Sequence, residues 1–312
     1  MITALAGGVG AARLLRGLVR VVAPEELVVV VNTGDDTVLH GLHISPDLDT
    51  VMYTLAGRND DERGWGLSGE TWTVMDALEQ LGGQAWFRLG DRDLATHLYR
   101  TQRLGEGATL SAVTEELASA MGLRLRLLPM SDEPVRTRLV LADDGGEVGF
   151  QEYFVRLHHE VAVSAVGFEG ADRARPAAGV LDAIGTADVV VICPSNPVLS
   201  IGPILAIPGI ADALAQARHR VVAVSPIVAG AALKGPADRL LRELGEESSV
   251  LGVARRYAPI AGTLVVDELD AALAPAVERA GLSCVVAPTV MHGVEQATAL
   301  AKIVLDAGGG NS

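Results

Sequence analysis

The chain has 312 residues, 49% of them apolar, and a formal net charge of −14. That charge argues against non-specific binding to nucleic acid or to an anionic membrane surface. Two cysteines, Cys193 and Cys284, with no CxxC pair exclude a disulfide framework and fit a reducing compartment. The N-terminus lacks a basic region followed by a continuous apolar stretch. No apolar run approaches the ~20 residues of a membrane span. A cytoplasmic protein that binds neither nucleic acid nor membrane is therefore expected.

Ile2–Leu5 reads as a first strand, Ala11–Val22 as a helix and Leu27–Val31 as a second strand, together one βαβ unit. Gly7, Gly8 and Gly10 lie between the first strand and the helix. Glycines there let a backbone approach a phosphate, or merely allow a tight turn. The pattern Gly8-x-Gly10-x-x-Arg13 lacks the third glycine of a dinucleotide fingerprint. The second strand also ends in Asn32-Thr33, with no acid placed for a ribose. Asp35 and Asp36 follow at that strand end, the edge where α/β sheets bind ligands. Two adjacent carboxylates there hold a metal or cap a helix.

Helices are expected over Asp47–Leu55, Thr71–Leu81, Leu94–Gln102 and Leu110–Met121, and a strand over Trp86–Leu89. Asp47 and Asp49 fall in the first turn of their helix, where its dipole already favours one acid. With Asp35 and Asp36 they make an acidic cluster able to hold Mg²⁺ through one or two carboxylates. Arg88, before Gly90-Asp91-Arg92-Asp93, can clamp a phosphate or stack on a planar ring. His40 and His43 complete no zinc set and read as polar walls or caps. Arg136–Asp143 and Val148–Arg156, joined at Asp144-Gly145-Gly146, read as a β-hairpin.

From Val180 the alternation returns, with strands at Asp188–Cys193, Arg220–Val224, Leu264–Val266 and Cys284–Ala287. The helices fall at Ile204–Ala217, interrupted at Pro208-Gly209, then Ala237–Leu244 and Gly293–Leu305. Loops at Pro194–Pro203 and Ser225–Arg239 have little to bury and suit wrapping a ligand. Ser195, Asn196 and Lys234 are their polar candidates. The final residues, from Gly308, read as disordered. The expected fold is α/β: a Rossmann-like, mostly parallel sheet with helices on both faces and an inserted smaller α+β subdomain. Residues 1–99 and 179–312 would form the core, and 100–178 the insertion.

LAGGVGAARLLRGL, VVNTGDD, HGLHISPDLDTVMYTL, GDRDLATHLYRTQ, PSNPVLSIGPILAIPGI and SPIVAG, spread from residue 2 to about 300, resemble the 2-phospho-L-lactate transferase family of coenzyme F-420 biosynthesis, whose bacterial branch is the phosphoenolpyruvate transferases. The resemblance implies a Mg²⁺-dependent homodimer. It would move a phosphoenolpyruvyl or 2-phospholactyl group from a guanosine diphosphate ester to the terminal ribityl hydroxyl of the deazaflavin Fo, releasing GMP. It implies Fo contacts at Asp49 and Arg88, with Asp49 catalytic and a metal on Asp49, Asp35 and Asp36. Gly7, Gly8, Gly10, Asn32, Thr33, Ser195, Asn196 and Lys234 are the nucleotide-side choices. An NAD-dependent oxidoreductase and a non-catalytic nucleotide-binding protein are the alternatives. The imperfect fingerprint counts against the first, and the acidic cluster against the second.

Overall fold

The computed structural model describes residues 1–143 and 145–309. Asp144, in the expected hairpin turn, and residues 310–312 of the expected disordered tail lie outside them.

Seven strands form one sheet: β1 (Ile2–Ala6), β2 (Leu27–Val31), β3 (Arg126–Pro129), β4 (Val189–Ile192), β5 (Val221–Val224), β6 (Thr263–Val266) and β7 (Ser283–Val286). Their spatial order is β7-β6-β5-β4-β1-β2-β3, and every pairing is parallel. The strands are Val-rich because side chains alternate across a sheet covered on both faces. In β2, Val28 and Val30 enter one apolar cluster while Val29 and Val31 enter the other; in β1, Leu5 faces one and Ala4 and Ala6 the other.

Helix α1 (Gly8–Val21) covers one face beside the C-terminal helix Val294–Gly309. Their contact is close because Gly17 has no side chain: a Cβ there would lie 2.1 Å from the carbonyl oxygen of Ala297. On the same side lie α2 (Pro46–Leu55) and α5 (Leu110–Ala120). Helices α3 (Thr73–Gln80) and α4 (Asp93–Gly105) precede α5 in the chain. Helices at Val180–Thr186, Ile201–Ala206, Ile210–Gln216, Ala237–Glu243 and Val250–Tyr257 cover the opposite face. Pro208-Gly209 separates the second and third of these, as its residues anticipate.

Three local expectations are corrected. Trp86–Leu89 is not a strand; its apolar residues line a cavity instead of pairing in a sheet. The second arm of the hairpin is only Glu147–Gly149, and a wide helical turn occupies Glu152–Arg156. A further strand, Val163–Glu169, pairs with Arg136–Leu141 to make a three-stranded antiparallel sheet. Within the 100–178 span, that small sheet holds residues 136–169, whereas Arg126–Pro129 is β3 of the main sheet. The small sheet is fastened over the end of β2. Thr137 N–H donates to the Gly34 carbonyl (2.7 Å) and the Gln151 amide to the Asp35 carbonyl (2.9 Å).

Candidate active site

A cavity of about 780 Å³ opens at the carboxyl ends of the central strands. Its walls come from the segments after β1, β2, β4, β5 and β7, together with α2, α4, the loops 63–66 and 86–89, and Phe150–Val155. The strand order runs outward in both directions from the β1/β4 boundary, and ligands bind open α/β sheets at that crevice.

The glycines stand where the first strand hands over to α1. Gly7 is the N-cap residue, and Gly8 and Gly10 lie in the first turn, earlier than the expected helix start. Gly10 permits contact with the next loop, because a Cβ would lie 2.2 Å from the Pro194 carbonyl oxygen. The Gly7 N–H donates to Ser195 Oγ (3.2 Å), joining the loops after β1 and β4. Asn196 is spent on its own turn, its Oδ1 accepting from the N–H groups of Val198 (2.9 Å) and Leu199 (3.1 Å). Gly7, Gly8, Gly10, Ser195, Asn196 and Lys234 all line the cavity.

The acidic cluster forms, with a division of labour. Asp35, Asp47 and Asp49 line the cavity; Asp36, Asn32 and Thr33 are set behind it. Asn32 clamps two carboxylates, its Nδ2 reaching Asp47 Oδ2 (2.9 Å) and Asp35 Oδ1 (3.3 Å). Asp36 accepts from Ser45 Oγ (2.7 Å). Burial, then the charges of Asp47 and Asp36, push the Asp35 carboxyl well above its usual range. Burial lifts Asp36 to about 7 and Asp47 to about 6. The positive charges of Arg100 and Arg136 pull Asp36 back down but do not offset its burial.

Asp49 turns the other way. Both its oxygens accept from the guanidinium of Arg100, a residue 1% exposed, through Nη1 (3.1 Å) and Nη2. Arg100 also lies 3.3 Å from His97 Nδ1. His97 Nε2 is 3.4 Å from Asp93, which accepts from the Tyr53 hydroxyl (2.5 Å). Burial raises the Asp93 carboxyl, but the hydrogen bond and charge of His97, the Tyr53 hydroxyl and the charge of Arg100 together hold it low. This network was not anticipated. Its signal is the spacing of Asp93, His97 and Arg100, which places all three on one face of α4.

The rest of Gly90-Asp91-Arg92-Asp93 builds the wall. Asp91 accepts from Thr71 Oγ1 (2.5 Å), Thr73 N–H and Val74 N–H (both 3.0 Å), capping α3. Those bonds, Thr71's first, lower it to about 2. Glu70 in turn caps α4 through the N–H groups of Arg92 and Asp93. Arg88 lines the cavity, paired with Asp76 (2.5 Å) and lying over the Trp72 ring (5.2 Å). Arg63 sits against both Trp65 (5.5 Å) and Trp72 (5.3 Å). Trp65, Trp86 and Phe87 present ring surface to the cavity. His40 and His43 do not line it; His40 and Gly41, with φ of 54° and 75°, form the two-residue turn between the strands Thr37–Leu39 and Leu42–Ile44.

Two donor sets can be tested for a metal. Asp49, Asp93 and His97 bring one ligand atom each within 4.8 Å of one another. That set mixes nitrogen with oxygen, and its carboxylates are already hydrogen-bonded to Arg100 and Tyr53. The carboxylates around Asp35 and Asp47 offer oxygen alone, repel one another and face the cavity, which fits a hard cation such as Mg²⁺. Cys193 is buried, and burial pushes its thiol to about 12, which disqualifies it as a nucleophile. Among the described residues no helix is long and apolar enough to cross a membrane.

The 2-phospho-L-lactate transferase CofD family model matches residues 2–286. A phosphoenolpyruvate transferase of Kitasatospora aureofaciens is 50% identical over 310 residues, covering 97% of this chain and 96% of that protein. One from Mycolicibacterium smegmatis is 43% identical, covering 99% and 98%. A UPF0052-family crystal structure from Bacillus halodurans superposes with a TM-score of 0.63 over 97% of this chain and 98% of its own; at 17% identity it speaks to the fold alone. The glycine turn, the acidic cluster and the α4 network thus belong to a member of the 2-phospho-L-lactate transferase CofD family.

Proposed function

We propose that the chain transfers a phosphoenolpyruvyl or 2-phospholactyl group from a guanosine diphosphate ester to the terminal ribityl hydroxyl of Fo. GMP leaves, and (dehydro) coenzyme F-420-0 is formed. The name borne by the relatives favours phosphoenolpyruvate as the three-carbon acid. The observation that carries the reading is one cavity with a ring-rich wall, a glycine turn at a helix N-terminus and buried carboxylates in the same lining.

In the proposed reaction the ribityl oxygen attacks the phosphorus bearing the three-carbon acid, and the bond from that phosphorus to the GMP oxygen breaks. The chain's task is to position the two substrates and neutralise charge, as in phosphoryl transfer generally. Trp65, Trp86 and Arg88 suit the planar deazaflavin. Gly7, Gly8, Gly10, Ser195, Asn196 and Lys234 suit the nucleotide side. Asn32 and Thr33 support it from behind, Asn32 by holding Asp35 and Asp47. Asp49, fixed by Arg100, is our choice to receive the hydroxyl proton, with Asp35 as its neighbour. Mg²⁺ would be held by Asp35 and Asp47 with Asp36 behind them, in place of Asp49 whose oxygens Arg100 occupies, and would spread the charge developing on the phosphoryl oxygens. A cytoplasmic homodimer is part of the same reading.

Calorimetric titration with GDP and Mg²⁺, Fo and NAD separates the alternatives. Saturable GDP and Fo binding with no NAD binding is expected. NAD binding without GDP binding would overturn the proposal in favour of an oxidoreductase. GDP binding without turnover of Fo would favour a sensor.

A further inference from the structure

Four long cationic side chains line the cavity: Arg13, Arg63, Arg88 and Lys234. Two are already engaged. Arg63 pairs with Asp60 (3.1 Å) and donates to the Leu67 carbonyl (2.7 Å), and Arg88 pairs with Asp76. Arg13 and Lys234 have no hydrogen-bond or ion-pair partner among the described residues. Lys234 is exposed and Arg13 half-buried, so water solvates both charges. With no protein anion among the described residues holding either, both are free to meet a ligand's anion in the cavity they line.

They also converge. A Cβ on Gly64 would lie 2.6 Å from the Lys234 Nζ, so the loops carrying these residues touch over the cavity. Arg13 and Gly64 are walls of one narrow crevice beside it, together with Arg16 and Asp61. Arg16 pairs with Asp61 at 3.0 Å, tying the 57–72 loop to α1 and holding Gly64 near Arg13. The two cations therefore flank Gly64 from different elements, α1 and the loop after β5.

We propose that Arg13 and Lys234 together form an anion subsite for the guanosine diphosphate ester, adding Arg13 to the residues that hold the donor. The proposal rests on the function given above. The group held is either the non-bridging oxygens of the diphosphate or the carboxylate of the three-carbon acid. A guanidinium and an ammonium brought from two sides suit such a group through charge-assisted hydrogen bonds. Lys234 is exposed and Arg13 half-buried, and neither holds a protein partner among the described residues, so neutral replacements leave the fold in place.

The test compares the parent with Arg13→Gln and Lys234→Gln. Dissociation constants are measured with Mg²⁺ for GDP, for phosphoenolpyruvate and for Fo, each separately. Each variant is expected to lose about 10- to 100-fold in affinity for at least one of the two anions, with Fo affinity unchanged. A loss on GDP assigns the diphosphate, and a loss on phosphoenolpyruvate alone assigns the carboxylate; both uphold the subsite. Unchanged affinity for both anions overturns it, as does an equal loss for Fo. If the parent itself binds neither GDP nor Fo, the proposed function fails as well. A parent that binds and transfers while the variants bind like it sinks the subsite alone.

Discussion

Asp49 cannot be altered in isolation, because both its oxygens accept from a buried guanidinium. Asp49→Asn removes the anion and leaves Arg100 uncompensated, which costs about 3–5 kcal/mol. It should also slow transfer by roughly 10²–10⁴-fold if Asp49 receives the hydroxyl proton. The double variant Asp49→Asn with Arg100→Gln separates the two effects. Its melting temperature should recover towards the parent while single-turnover transfer of Fo stays slow. Recovery of both would reduce Asp49 to a structural partner. The first-turn acids of Ser45-Pro46-Asp47-Leu48-Asp49 are legible in the sequence. Their separate tasks are not, because Asp49 meets a partner 51 residues away. Arg88→Ala should weaken Fo more than GDP, since Arg88 belongs to the ring-lined wall; an equal loss for both would contradict that placement.

Asp36 shares the pH dependence of this cluster with Asp35 and Asp47, whose carboxyls are raised as well. Its folded carboxyl is lifted to about 7, above its value in the unfolded chain, so the folded state binds the proton more tightly. That contribution to stability is complete below the unfolded value near 4 and is lost as pH rises through about 7. Asp36→Asn keeps the hydroxyl contact of Ser45 and cannot ionise. Its melting temperature should match or trail the parent near pH 5 and exceed it near pH 8. A constant offset at every pH would contradict the account.

Close backbone approaches decide the behaviour of whole elements. Gly17 lets α1 lie against the C-terminal helix, and Gly10 lets its first turn meet the loop after β4. Alanine at either place would help an isolated helix, yet its Cβ meets a carbonyl oxygen at 2.1 or 2.2 Å. Overpacking of this kind costs about 1–3 kcal/mol. Gly17→Ala should lower the melting temperature and leave GDP affinity intact, because it is far along α1 from the cavity lining. Gly10→Ala should lower both. Equal GDP affinities for the two variants would contradict the division. The glycines could be read as a turn before α1; that two sit inside its first turn follows from packing the sequence does not display. Trp86–Leu89 misleads for a similar reason. Its apolar pattern suits a strand, but its rings line a cavity, and residue pattern alone does not distinguish the two kinds of burial.

Across the molecule, the parallel sheet was legible because its strands are short Val-rich runs separated by helices. Their order was not, since pairing such as β1 with β4 joins segments more than 180 residues apart. That order creates the crevice, and the crevice gathers the glycine turn, the carboxylates and the ring wall into one cavity. Transfer chemistry in that cavity is the central claim, and direct product identification tests it. The chain is incubated with Fo, Mg²⁺ and the guanosine diphosphate ester of phosphoenolpyruvate, and the products are resolved by mass spectrometry. The account predicts GMP and dehydro coenzyme F-420-0 in equal amounts, both absent without the chain. Donor consumption with Fo unchanged, or no reaction with this ester or its 2-phospholactate counterpart, would contradict it.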